Sequence, residues 1–185
     1  IKGFIFDKDF KQADKYLDKF SDLMRSTIDN SDAAIISLKD EMSYLDNYLL
    51  LEKLRFEDKF VYKIEVADGI DKEKYFVPAM LLQPYVENSI RHGMRFLENR
   101  QGFIGIKAAL EKGQLVCSID DNGIGREKAA ALKSNMHIEY QSRGMNISNR
   151  RAELYKIELE IIDKKDAHGN AAGTKIILKM PVDIK

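Results

Sequence analysis

The chain has 185 residues, of which 44% are hydrophobic, so it is long enough for one globular domain and an additional helical element. Its 30 basic and 30 acidic residues give a net charge of zero, which argues against a nucleic-acid-binding protein. No apolar stretch reaches the roughly 18 residues of a membrane-spanning helix and no signal peptide is evident, so we expect a soluble chain. The single cysteine, Cys117, lies in an apolar run, which is more typical of a core residue than of a reactive thiol.

The first third of the chain has the pattern of two helices. Apolar residues recur at intervals of three and four from Asp9 to about Ile28, and the polar residues 29–32 end this pattern. Ser37, which acidic residues follow, predicts the N-cap of a second helix that runs to about residue 57. We therefore predict an antiparallel helical hairpin over residues 1–57, whose apolar stripes suit either an intramolecular core or a dimer interface.

The pattern from residue 58 onwards is that of strands interleaved with helices. The polar stretch from Arg126 to Arg143 shows no clear period and is predicted to be irregular. Strands are predicted at 60–66, 103–110, 115–119, 158–163 and 174–180, and helices at 78–97 and 144–155. This arrangement predicts an α/β domain over residues 58–185, built as a two-layer sandwich.

The segment Gln83–Gly93 predicts a helix with two unlike faces, one apolar and one polar. The polar face carries Glu87, Asn88, Arg91 and His92. Such a face can simply be solvated. It can also bind a nucleotide, because a carboxamide oxygen on Asn88 suits Mg²⁺ and the cationic groups one turn away suit phosphate.

A second segment, Asp121–Gly125, follows directly after an apolar strand. An aspartate with spaced glycines can be an ordinary turn, since both residue types favour turns. Alternatively, a buried Asp121 carboxylate accepts a hydrogen bond from an exocyclic amine such as adenine N6. In that case, Gly123 and Gly125 let the backbone approach the base.

A third segment, Arg143–Met145, opens a predicted helix. Gly144 at a helix N-terminus exposes backbone N–H groups and the positive end of the helix dipole, which suits phosphate. A glycine there is also an ordinary N-cap, so this segment alone does not decide between the two uses.

The order of these segments resembles the Bergerat-fold ATPase and kinase superfamily, and within it the LytS-type sensor histidine kinases. Leu82–Gly93 is similar to their N box and Asp121–Gly125 to their G1 box. Gly144–Met145 looks like their shortened G2 region, and Gly173–Thr174 like the box after it. The hairpin resembles the segments that follow the phosphoacceptor histidine in those kinases, so the likeness spans nearly the whole chain.

The resemblance implies a role for each motif residue. Asn88 is the expected Mg²⁺ ligand, and Asp121 is expected to bind adenine in a pocket shaped by Gly123 and Gly125. The stretch from Arg126 to Arg143 corresponds to the lid. The remaining residues implied in nucleotide or phosphate binding are Glu87, Arg91, His92, Arg143, Gly144, Met145 and Thr174.

The resemblance also implies an activity and partners. These kinases transfer the γ-phosphoryl group of ATP to a histidine and from there to an aspartate in the receiver domain of a response regulator. We therefore expect ATP and Mg²⁺ as ligands and a homodimer formed through the helical hairpin. The family likeness further suggests the cytoplasmic portion of a sensor tethered to the inner membrane.

Three departures from the family pattern limit these expectations. The phosphoacceptor motif is not found, because His92, His137 and His168 lie in other contexts, and we interpret the start at Ile1 as a cut in a longer helix. The G2 region has a single recognisable glycine. Pro84 occupies the position where ATP-hydrolysing members of the superfamily carry a carboxylate. An ATP-hydrolysing clamp and a degenerate nucleotide-binding or dimerisation module remain as alternatives.

Overall fold

The computed structural model describes residues 10–56, 58–98, 100–135 and 143–184. It begins with two helices, α1 (Phe10–Asp32) and α2 (Leu38–Arg55). Two contacts join these helices: Lys19 Nζ donates to Asn47 Oδ1 at 3.0 Å, and the Thr27 hydroxyl lies 3.4 Å from the Tyr44 hydroxyl. Thr27 follows Lys19 in α1, whereas its partner Tyr44 precedes Asn47 in α2, so the helices run antiparallel. The predicted helical hairpin is confirmed.

The boundaries of the two helices follow from local hydrogen bonds. The Ser37 side chain accepts from the backbone N–H of Asp40 at 3.0 Å, which confirms the predicted N-cap of α2. Helix α1 ends at Asp32, within the polar residues 29–32 and four residues beyond the last apolar residue of the pattern, Ile28. Within this last turn Asn30 is buried and the Ser31 hydroxyl donates to the carbonyl of Ile28 at 2.8 Å, so polar side chains are accommodated in the helix.

Strands form the second layer. They are β1 (Ile35–Ser37), β2 (Phe60–Val66), β3 (Phe76–Pro78), β4 (Gly102–Glu111), β5 (Gln114–Asp121), β6 (Glu158–Lys165) and β7 (Ala171–Pro181). The central sheet has the order β2-β4-β5-β7-β6; β2 is parallel to β4, and all other neighbouring pairs in this sheet are antiparallel. The two short strands β1 and β3 form a separate antiparallel pair that the sequence did not indicate.

The described residues include three further α-helices, which accompany the sheet: α3 (Gln83–Asn88), α4 (Arg126–Asn135) and α5 (Arg143–Leu154). Helix α3 passes directly into a π-helical turn, Ser89–Met94. The helix predicted from Pro78 begins later, because Pro78 ends β3 and Pro84 occupies the first turn of α3, where a missing N–H costs nothing. The stretch predicted to be irregular is helical through Asn135 and lies outside the described residues from 136 to 142.

The helices cover one face of the central sheet. Burial alternates along β4, where Ile104, Ile106 and Ala108 face the core, and Cys117 on β5 is buried beside them as predicted. The same core includes apolar residues of α2, such as Leu45. The two-layer α/β sandwich is confirmed, whereas the division into domains at residue 57 stays a prediction.

Candidate functional site

A cavity of about 310 Å³ lies between the helical layer and the strands β6 and β7, at the lower end of the usual size of small-molecule sites. Much of its wall is apolar, and a few polar groups reach it from different elements. The lining residues are Tyr85, Asn88, Ser89, His92, Gly93, Asp121, Gly125, Arg126, Ala129, Ala130, Ile161, Thr174 and Ile176. The cavity thus brings together the N box, the G1 box and Thr174.

Asp121, the last residue of β5, is the most buried charged group of this cavity, with 3% of its surface exposed. Its Oδ1 accepts from the backbone N–H groups of Gly123 (2.8 Å) and Thr174 (3.2 Å), and its Oδ2 accepts from the Ser89 hydroxyl (2.8 Å). Burial raises the pKa of Asp121, and the three hydrogen bonds and the nearby charge of Lys164 oppose that rise. A carboxylate offers about four acceptor positions, so one further donor can be accommodated from the cavity side.

Glycines allow the backbone segments around Asp121 to approach closely. Gly93 lies against Gly123, where an added β-carbon would be 2.5 Å from the Gly93 Cα atom. The Gly93 carbonyl accepts from Ile124 N at 3.4 Å, which connects the N box to the G1 box. A β-carbon at Gly173 would overlap the carbonyl of Asp121, and Gly173 also has a φ of +121°. The carboxylate therefore depends on positions where no side chain fits.

The polar face of the N box divides into two groups. Asn88 and His92 line the cavity, on the same side of the helix as Tyr85 and Ser89. Glu87 and Arg91 form an ion pair at 2.8 Å and are not among the described residues that line the cavity. The predicted role of Arg91 in phosphate binding and that of Glu87 at the nucleotide stay predictions.

The start of helix α5 contains the three predicted phosphate-binding residues. Arg143, Gly144 and Met145 form its first turn, as the sequence predicted for a helix beginning near Gly144. Their side chains, and the part of the predicted lid from 136 to 142, lie outside the described residues. The prediction that this region covers the phosphates is therefore not tested by the geometry.

Three residues to which the sequence analysis gave no role of their own support the site. Ser89 holds the Asp121 carboxylate, and its position within an apolar helix face was a signal of a buried donor. Arg126 at the start of α4 forms two hydrogen bonds of 2.7 Å with the carboxylate of Asp163 on β6. Lys164 donates to the carbonyl of Asp121 at 2.9 Å and pairs with the carboxylate of Asp120, which fixes the end of β5.

Solved structures of histidine kinases share this fold. The catalytic domain of the histidine kinase ThkA aligns with a TM-score of 0.53 and 16% identity, over 82% of this chain and 97% of that chain. The histidine kinase AdeS of Acinetobacter baumannii aligns with a TM-score of 0.54 and 12% identity, over 97% of this chain and 85% of that chain. At these identities the likeness concerns the fold, and it confirms the Bergerat type.

Sequence comparisons give the family. A family model described as histidine kinase matches residues 1–60. The sensor protein LytS of Staphylococcus saprophyticus is 30% identical over 183 residues, which cover 94% of this chain and 29% of the relative. A sensor-like histidine kinase of Staphylococcus epidermidis is 30% identical over 136 residues, 74% of this chain and 24% of the relative. The chain spans less than a third of the length of these two relatives. By these matches the chain belongs to the sensor histidine kinase family.

Proposed function

We propose that this chain is the ATP-binding catalytic part of a two-component sensor histidine kinase. In the whole protein it transfers the γ-phosphoryl group of ATP to a histidine, from which the group passes to the receiver domain of a response regulator. The observation that carries this proposal is the buried carboxylate of Asp121 on an apolar cavity. It accepts three hydrogen bonds from described residues, which leaves one of about four acceptor positions for a ligand.

The chemistry of the cavity fits adenine. A purine has two apolar faces, which Ile161, Ile176 and Ala129 can cover, and a polar edge that needs specific partners. The exocyclic amine of adenine is a donor and suits the remaining acceptor position on Asp121. Guanine presents a carbonyl at the same ring position, which a carboxylate would repel. We therefore expect the site to prefer adenine nucleotides.

The phosphates are expected to extend from the adenine pocket toward Asn88, His92 and the first turn of α5. The side-chain oxygen of Asn88 can hold one coordination position of Mg²⁺, and a bound Mg²⁺ would neutralise phosphate charge. Backbone N–H groups at the start of α5 can bind phosphate oxygens, because the four N-terminal amides of a helix have no partner within the helix. Among the described residues no three His, Cys, Asp or Glu side chains converge on a common metal position, so Asn88 would share the ion with phosphate and water.

Dimerisation through the hairpin is part of the proposal. One side of α1 is an apolar stripe whose members are 45% to 67% exposed: Phe10, Leu17, Phe20, Met24 and Ile28. Their spacing of three, four and seven residues places them on one line along the helix. An apolar line of this length is stabilised when a second copy covers it, as in a four-helix bundle. The occupant that we propose is therefore the hairpin of a second copy.

The setting of the whole protein is proposed from the LytS-type resemblance. We place the chain in the cytoplasmic portion of a membrane-tethered sensor. Across the part of the chain that the structure describes, no helix is both long enough and apolar enough to cross a bilayer.

Phosphotransfer in the longer protein tests the proposed activity. With γ-labelled ATP and Mg²⁺, we expect label on a histidine upstream of this chain, stable to base and labile to acid, and its passage to a receiver domain. The present chain alone should bind Mg-ATP without becoming labelled. Release of inorganic phosphate without a labelled histidine would instead support an ATP-hydrolysing clamp.

A further inference from the structure

Helix α2 carries a carboxylate that is fully buried and lies outside the nucleotide cavity. Glu41 has 0% of its surface exposed. Its Oε1 accepts from Leu82 N at 2.9 Å, and its Oε2 accepts from Met80 N at 3.3 Å. Both donors belong to the turn 79–82, which connects β3 to α3. A helix of the hairpin is thus hydrogen-bonded to the segment that begins the N box.

Two carbonyl groups of this turn are in contact with helix α5. Arg151 donates through Nη1 to the carbonyl of Ala79, and the hydroxyl of the buried Ser148 lies 3.5 Å from the carbonyl of Leu81. Met80 within the turn has a φ of +56°, a backbone conformation that a non-glycine residue keeps only when its surroundings hold it. The turn therefore depends on α2 from one side and on α5 from the other.

The charge of Glu41 has identifiable neighbours on each element packed against it. Burial raises the pKa of Glu41 to about 7; the two hydrogen bonds from the turn oppose this rise, and so, to a smaller extent, does the charge of Arg151 on α5. Tyr44 on α2 and Cys117 on β5 are the other titratable groups that its charge affects. Both hydrogen-bonded atoms of the turn are donors, so the ionised carboxylate, with two acceptor oxygens, matches the turn better than a protonated one, whose hydroxyl oxygen is a weaker acceptor.

We infer that Glu41 is a positioning residue that couples the helical hairpin to the nucleotide site, through the turn 79–82 that it shares with Arg151. The turn leads directly into α3, which carries Asn88, and α5 carries the first-turn amides proposed to bind phosphate. A displacement of α2 relative to the sheet is passed to both halves of the site. The inference rests on the proposed function for its consequence, while its structural part can be tested without nucleotide.

Three variants separate this coupling from a general role in stability. Glu41→Gln keeps the size of the side chain but places an amide N–H₂ group against one of the two backbone donors and removes the charge near Arg151. Leu45→Ala is the matched control, because Leu45 is fully buried in the same helix and has no polar group to offer the turn. Arg151→Met removes the contact from the α5 side.

Amide hydrogen exchange without nucleotide is the first measurement. The exchange of residues 79–94 is compared with that of strand β5, which reports global opening. In Glu41→Gln we expect exchange of residues 79–94 to rise about tenfold more than that of β5, an effect within the range of coupling between sites. Leu45→Ala should raise the exchange of residues 79–94 and that of β5 by similar factors. The inference is overturned if Glu41→Gln shows the same ratio as Leu45→Ala.

Nucleotide affinity is the second measurement, made by calorimetry with Mg-ADP. We expect Glu41→Gln and Arg151→Met each to weaken binding about fivefold or more, and their effects to be non-additive because they act on one turn. Leu45→Ala should bind within about twofold of the parent. Unchanged affinity in Glu41→Gln would contradict the inference. If the parent chain itself binds no adenine nucleotide, the proposed function fails. The comparison of hydrogen exchange between residues 79–94 and β5 then still tests whether Glu41 couples the hairpin to the turn.

The pH profile gives a readout that a purely structural residue would not change. As the pH falls from about 8 to about 6, protonation of Glu41 should loosen the turn, so affinity for Mg-ADP should fall more in the parent than in Glu41→Gln. The other titrating groups and the phosphates are the same in both proteins, so their effects cancel in the difference. Parallel pH profiles for the two proteins would overturn the inference.

Discussion

Of all the residues of the cavity, Asp121 is the one on which we expect nucleotide selectivity to depend most. In Asp121→Asn the amide oxygen can still accept from Gly123 N and Thr174 N, and the Ser89 hydroxyl can rotate to accept from the new N–H₂ group. The fold should therefore persist, but a donor replaces the acceptor that meets the adenine amine. We predict roughly ten- to hundredfold weaker binding of ATP, as expected for the loss of a hydrogen bond to a charged group.

Asp120→Asn is the control for this measurement, because the preceding carboxylate points away from the cavity and pairs with Lys164. Calorimetry measures the affinity of both variants for ATP and for GTP. We expect affinity for ATP to fall in Asp121→Asn and not in Asp120→Asn, and affinity for GTP to stay unchanged in both. Equal losses in the two variants, or a parent that binds GTP as well as ATP, would contradict the adenine assignment.

Gly173 tests the close backbone approach behind Asp121. In Gly173→Ala the added β-carbon would overlap the carbonyl of Asp121, and strand β7 cannot retreat without losing its pairing with β5. We predict a loss of at least about 3 kcal/mol in the free energy of unfolding, measured with urea, from the combination of overpacking and positive φ. Gly69→Ala is the control, since Gly69 has a φ of +84° but nothing within 4 Å of an added β-carbon. A similar cost in the two variants would mean that the close approach is unimportant.

Single residues also show how far the sequence determines a site. Asn88, His92, Asp121 and Thr174 were predicted from motifs, and the fold brings them to one cavity. Glu87 and Arg91 share the polar face of the same helix but pair with each other, since a side chain one turn away is the nearest opposite charge. Glu41 has no motif around it, and its importance follows only from its contacts with residues distant in the chain.

At the scale of secondary structure, short elements were the ones that the sequence could not specify. Strands β1 and β3 have three residues each, too few for a periodic pattern, and they exist because they pair with each other. Their pairing explains why Pro78 ends a strand instead of opening a helix. The longer strands and most of the longer helices have a clear apolar periodicity, and they were predicted with errors of a few residues at their ends. Helix α4 was missed because it is polar and has little apolar periodicity.

The contact between α2 and the turn 79–82 should appear in the pH dependence of stability. Burial raises the pKa of Glu41 from 4.5 to about 7, so between these values the folded state binds more protons than the unfolded state. Stability from this group is therefore present at low pH and is lost as the pH rises through about 7, because the cost of burying the charge outweighs the two hydrogen bonds that the ionised carboxylate accepts from the turn. The loss is on the order of 3 kcal/mol as an upper limit.

Glu41→Gln removes this titration, so its free energy of unfolding relative to the parent should increase as the pH rises from about 5 to about 7.5. Urea unfolding of both proteins at several pH values measures the difference, in which the contributions of all other carboxyl groups cancel. A constant difference across this range would show that Glu41 has an ordinary pKa in the folded protein.

At the scale of the whole molecule, the site depends on long-range assembly. Asp121 receives hydrogen bonds from the N box and from the start of β7, and these segments meet only once β5 is placed between β4 and β7. The core that supports them also includes α2. Composition and motifs could predict the fold class and several of the residues that line the cavity, whereas the contact between hairpin and sandwich required the packed structure.

The apolar stripe of α1 leads to the prediction for the assembled protein. If a second copy covers this stripe, Leu17→Glu places two carboxylates in an apolar interface, one from each copy. We expect a dimer of the parent chain in light scattering and a dissociation constant at least about tenfold higher in Leu17→Glu, from the lost burial alone.

Lys15→Gln is the matched control, because Lys15 is exposed on another side of α1 and its replacement changes the net charge by the same amount. The nucleotide affinity of Leu17→Glu should stay that of the parent, since the cavity lies in the sandwich. A parent that is monomeric at all concentrations, or a Leu17→Glu variant that dimerises as the parent does, would rule out this stripe as the dimer interface.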